Sequence, residues 1–178
     1  NPIDQYSTAL KCGFWNRVKP RTNPFTIAEA PLLMRYHPSI WSAIYRTEFL
    51  RNEGIRFDEL PGGGWVDNPF MVETLCSAKS ILYVNKAFYR YREERVGSSS
   101  ASLADFRMPI NRWNKMTDYL STHGINDEEI LGIHYYRGFH YLDDAKSAAN
   151  YCEDEWADAA RNSLMRMRPD IVARSRYV

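Results

Sequence analysis

The residues best suited to chemistry lie in one short stretch, Gly62-Gly63-Gly64-Trp65-Val66-Asp67-Asn68-Pro69-Phe70. Asp67 is its single acid. A carboxylate within hydrogen-bond reach of a hydroxyl can take the proton as that hydroxyl attacks. The same carboxylate at a helix start can also act as a cap, contributing about 1 kcal/mol. Both readings of Asp67 stand at this level, although Asn68 is available as the cap and Pro69 suits the first helical position. The glycines permit positive φ and close approach of a ligand to the backbone. They do not make a phosphate loop, because no Lys-Ser/Thr follows in a strand-to-helix pattern. Trp65 reads either as a platform for the C–H face of a sugar or as a partly buried loop tryptophan. Further on, Arg92 and Arg95 precede Ser98, Ser99 and Ser100. Guanidinium forks and hydroxyls suit phosphate oxygens, and the same composition also describes a solvated loop.

Other chemistry-bearing residues point nowhere in particular. Cys12, Cys76 and Cys152 are far apart and odd in number, against a disulfide framework or a cysteine zinc site. His37, His123, His134 and His140 show no metal-ligand spacing, and no metal ligands are assigned within the chain. Asp143-Asp144 falls within an apparent helix and reads as a solvated face. A net charge of +1 gives no electrostatic case for a nucleic-acid partner. No apolar run approaches the roughly 20 residues of a membrane helix. The basic, amphipathic last stretch from Arg161 to Val178 reads as a helix packed on its own domain, with peripheral contact to an anionic membrane as the alternative.

The elements that must position these residues divide near residue 103. Residues 1–38 read as short extended pieces joined by loops. A helix is expected from Ser39, its possible cap, to a stop at Gly54, with Trp41, Ile44, Tyr45 and Phe49 near one face. A short strand, Ile55–Asp58, and the glycine loop follow, then a helix starting at Asn68-Pro69. Residues 81–84 and 87–92, β-branched and aromatic, read as two strands. Beyond the polar loop come helices over 109–122, from the 126–129 stretch to about 150, and over 153–168. Gly124 stops the first, Asn126 to Glu129 start the second, and Pro169 closes the third.

The ordered series in the middle resembles the C-terminal half of a family 2 glycosyltransferase. Its pieces are Phe49-Leu50, Gly54-Ile55-Arg56-Phe57, Val66-Asp67, Phe70, Ile81 to Val84, Tyr89-Arg90-Tyr91-Arg92 and Gly97 to Ser100. Each piece alone is weakly specific; their order and spacing over about residues 35–102 carry the resemblance. Two departures stand out. Val66 occupies the place of the family's first acid, and no Asp-x-Asp motif precedes Asp67.

The resemblance implies an α/β chain, the C-terminal half of a GT-A fold over 1–102 followed by a helical region over 103–178. It implies sugar transfer, inverting, from a nucleotide-sugar donor to a glycan or lipid-linked acceptor in surface-polysaccharide or cell-wall synthesis, on the cytoplasmic side of a membrane. Asp67 would be the catalytic base, Trp65 and Gly64 would border the acceptor, and Arg92, Arg95, Ser98 and Ser99 would close over the donor diphosphate. A divalent metal, Mg or Mn, would be held mostly by residues outside this sequence, which reads as an inactive acceptor-side piece of a longer enzyme. Two other readings remain open: a non-catalytic carbohydrate-binding module presenting Trp65, Tyr89 and Tyr91, and a degenerate transferase kept for assembly.

Overall fold

A computed structural model describes residues 18–36, 39–60, 64–86, 88–89 and 103–178. Six α-helices form in the described residues: α1 Thr47–Asn52, α2 Asp67–Ser77, α3 Arg107–Thr122, α4 Glu128–Ala145, α5 Glu153–Leu164 and α6 Pro169–Arg174. Three 3-10 turns, Ile27–Glu29, Pro31–Met34 and Ile40–Ser42, precede them.

The α/β expectation is overturned. No β-strand occurs among the described residues, only one antiparallel bridge between Phe25 and Ile81. The physical reason is visible on both sides of that bridge. Toward Tyr83 the side chain of Asn23 replaces a strand, donating from Nδ2 to the Tyr83 carbonyl and accepting from its N–H, both at 2.9 Å. Toward the other side the backbone curls at once into the Ile27–Glu29 turn. Residues 81–84 have strand composition, but no partner among the described residues completes a ladder. Ile55–Asp58 likewise lies outside any ladder. Of the expected strand 87–92, residues 87 and 90–92 lie outside the described residues.

The helix expected from Ser39 is also divided. Ser39 has φ 36°, not the extended conformation of a cap, and the Ser42 hydroxyl bonds the Ser39 carbonyl at 2.7 Å. The chain then extends at Ala43 before α1 begins. Pro169 starts α6 instead of merely ending α5. Helix α4 starts within the expected Asn126–Glu129 stretch, with Asp127 as the cap accepting from the N–H groups of Glu129 and Ile130, each at 3.0 Å, and it ends at Ala145, short of the expected 150.

The main core joins the 3-10 turns near residues 27–34 to α2, α3, α4 and α6. Ile27, Met34, Met71 and Val72 pack with Trp113, Met116, Leu120, Ile130, Ile133, Tyr141 and Ile171. A second cluster joins Phe106 and Ile110 to Leu142, Ala145 and Ala160. Helices α3 and α4 form its frame, and they approach closely at Gly138, where a Cβ would lie 2.7 Å from the Trp113 ring. Trp113 is fixed there by its indole N–H, which donates to the His134 carbonyl at 2.9 Å.

Candidate functional site

The site is organised by the first turn of α2. That helix begins at Asp67, two residues before the expected first position Pro69, with Val66 as the flanking residue and no side-chain cap. Asn68 is therefore not the cap. It is buried, and its amide oxygen accepts from Arg137 Nη2 and from the Tyr141 hydroxyl, the latter at 2.6 Å. Both donors stand on α4, one turn apart.

This polar cluster is sealed. Arg137 is 5% exposed, and its Nη1 donates to the Met34 carbonyl at 2.7 Å. No carboxylate among the described residues forms an ion pair with it. Burying a lone cation costs several kcal/mol, so its neutral acceptors must satisfy it. Burial raises the Tyr141 hydroxyl above its ordinary pKa, outweighing the opposing pull of Arg137, and so keeps it a donor at neutral pH.

The consequence for Asp67 follows from donor and acceptor inventory. Arg137 can only donate, so the oxygen of the Asn68 amide must face it. The nitrogen then faces the other way, and Asn68 Nδ2 donates to Asp67 Oδ1 at 3.1 Å. Asp67 is half-buried and makes no ion pair among the described residues. Its second oxygen has no hydrogen-bond partner among them. A carboxylate held by one oxygen and open at the other can take a proton from a bound hydroxyl.

Trp65 and Gly64 sit against the same cluster. Trp65 adopts φ 62°, rare for a bulky side chain and a source of local strain on the order of 1–3 kcal/mol. Its ring meets the Tyr141 ring edge-on at 4.9 Å. Its carbonyl accepts from the Asn68 backbone N–H at 3.2 Å. The Gly64 carbonyl accepts from Arg112 Nε at 3.2 Å, and Arg112 also reaches Asp58 Oδ2 at 3.3 Å. A Cβ on Gly64 would lie 2.5 Å from Met108 Sδ. Thus α3 holds Gly64 while α4 holds Trp65 and Asn68.

Of the residues singled out in the sequence, Gly64, Trp65 and Asp67 are brought together. Arg92, Arg95, Ser98, Ser99, Ser100, Gly62, Gly63, Tyr91, His37 and Cys12 lie outside the described residues. Tyr89 packs on Trp41, with ring centroids 6.0 Å apart. Asp143 and Asp144 are exposed, and Asp143 pairs with Lys146 at 3.5 Å. No group of three His, Cys, Asp or Glu able to hold a metal occurs among the described residues. No helix among them is long and apolar enough to cross a membrane. The arginines of the C-terminal stretch are paired: Arg166 with Asp118, Arg168 with Asp170, Arg174 with Glu128 and Asp170, and Arg176 with Glu129.

The sequence places Tyr141 on the buried stripe of its helix but does not show its polar role, nor Arg137, nor the inward role of Asn68. A signal existed: Ile130, Ile133, Arg137 and Tyr141 follow helical spacing, so a cation interrupts an otherwise buried stripe. In comparisons with protein-family models, curated proteins and solved structures, nothing matches this chain.

Proposed function

We propose that the chain carries the acceptor side of a sugar-transfer reaction, with Asp67 as the base that deprotonates an acceptor hydroxyl. The observation that carries this reading is the state of the Asp67 carboxylate. It is half-buried, anchored through one oxygen by Asn68, and used neither as a helix cap nor in an ion pair among the described residues. The motif series around it supplies the reaction class.

The acceptor hydroxyl would donate to Asp67 Oδ2 as its oxygen attacks the anomeric carbon of a nucleotide-sugar. The proton moves to the carboxylate, the C–O bond to the acceptor forms, and the bond to the nucleotide diphosphate breaks. One base suffices, because the diphosphate departs without needing a proton from a second acid. The Trp65 ring would offer the apolar face that an acceptor sugar packs on.

Turnover of a panel of nucleotide-sugars by the longest natural form of the protein tests this. Asp67→Asn should lower kcat about 10²–10⁴-fold. Equal rates in wild type and variant would exclude Asp67 as the base. Glycan binding that survives in both proteins without any turnover would favour a carbohydrate-binding module instead.

A further inference from the structure

We propose that Arg137 is a positioning residue for Asp67, acting through Tyr141 and Asn68 as a one-way hydrogen-bond relay. Its catalytic meaning rests on Asp67 being the base; its geometry does not.

Direction in this relay is dictated by chemistry. A guanidinium has donors only, so it can begin a chain but cannot be turned round. Arg137 Nη2 donates to the Tyr141 oxygen at 2.5 Å and also to the Asn68 amide oxygen. The Tyr141 hydroxyl, its oxygen already serving as acceptor, spends its single proton on that same amide oxygen at 2.6 Å. With two donors on Oδ1, flipping the Asn68 amide would place its N–H₂ against them in a site with little access to water. The amide is locked, and Nδ2 is committed to Asp67 Oδ1 at 3.1 Å and, more weakly, to the Trp65 carbonyl at 3.4 Å.

A helical arginine 70 positions downstream thus decides which way the carboxylate at the start of α2 is held (67 against 137). This also accounts for a buried cation that forms no ion pair among the described residues. A carboxylate partner for Arg137 would satisfy its charge, but it would not replace the neutral amide that passes the orientation on. A methionine of similar length would fill the same space, so volume alone does not call for arginine here.

The decisive measurement follows the Asn68 side-chain ¹⁵N resonance at neutral pH, assigned by its loss in Asn68→Ala. Removing the carboxylate by Asp67→Ala should shift that resonance in the wild-type background. The same removal should cause no shift in an Arg137→Met background and a reduced one in Tyr141→Phe, which keeps the ring against Trp65. Arg137→Lys should restore the shift in part. If Arg137→Met does not fold, Tyr141→Phe decides alone. A full wild-type shift in the variant backgrounds overturns the relay. Failure of the base reading looks different: the shifts behave as expected, while Asp67→Asn turns over UDP-glucose or another active donor at the wild-type rate.

Discussion

An imidazole with no access to water titrates on the terms of the fold around it, and His134 is in that position. It is 1% exposed, and its ring lies parallel to Trp113 with centroids 4.8 Å apart. Its Nε2 meets Thr117 Oγ1 at 2.8 Å, while the Thr117 hydroxyl donates to the Trp113 carbonyl at 3.0 Å. Thr117 has one proton, already committed, so Nε2 must carry the histidine's proton and Nδ1 is left as a bare acceptor. Nδ1 is also the one buried side-chain polar atom among the described residues without a partner. Burial, reinforced by Arg137 and Arg166, pushes the pKa from 6.5 down to about 3. Between those values the unfolded chain holds the proton and the native chain does not. The stability from neutral His134 is therefore complete above pH 6.5 and falls as pH drops toward 3, by about 1.4 kcal/mol per pH unit. Melting temperatures measured at pH 7.5, 6 and 5 should decline steeply in wild type. In His134→Gln the decline should be shallower, and parallel curves would locate the acid lability elsewhere. At this same scale the site was partly legible. Asp67, Trp65 and Gly64 stood out because loop glycines and a lone acid are local signals. Local spacing permits Asn68 as a cap; two donors from α4 take its oxygen instead, and no local pattern encodes that.

Helix ends and helix contacts carry the next set of expectations. Gly54 and Gly124 have φ of 66° and 63° and close α1 and α3 with the same pair of bonds. Ile55 N–H reaches Leu50 O and Gly54 N–H reaches Arg51 O; Ile125 N–H reaches Leu120 O and Gly124 N–H reaches Ser121 O. Neither glycine has an atom within 4 Å of where a Cβ would stand. Alanine there would cost about 1 kcal/mol through backbone conformation alone. Gly138→Ala differs in kind, since the new methyl meets the Trp113 ring, which the His134 carbonyl holds in place. Overpacking of this sort costs about 1–3 kcal/mol. Denaturant midpoints should rank Gly138→Ala below Gly54→Ala and Gly124→Ala; the reverse order would mean that α3 and α4 can separate cheaply. These stops, the α3 span and the start of α4 near residues 126–129 could be read from sequence because they are local. The strands could not. Residues 81–84 have the composition for pairing, but a strand exists only when a partner lies beside it, and the partner is not a property of the segment.

Beside the helical frame, the described residues leave an apolar stretch of chain exposed around Leu82 and Val84. Leu82 is 72% exposed and Val84 62%, while Ile81 and Tyr83 between them are half-buried, the alternation of a strand with its outer face bare. Ile44, Phe57, Leu60 and Phe88 are exposed as well. The one bridge to Phe25 leaves most backbone groups of this stretch outside any ladder. Extended chain with apolar side chains and an open edge associates edge to edge unless charge is placed on it, and lysine is the usual blocker. Along the C-terminal stretch the arginines form carboxylate pairs, beside exposed Met165 and Val178. Sedimentation velocity across a concentration series should therefore show the chain self-associating, and 0.5 M salt should leave that unchanged because the contact is apolar. Replacing both Leu82 and Val84 by lysine should restore a single monomer boundary without lowering the melting temperature, since neither side chain is in the core. Persistence of the larger species in that double variant would move the contact to another face, and salt sensitivity would make it electrostatic.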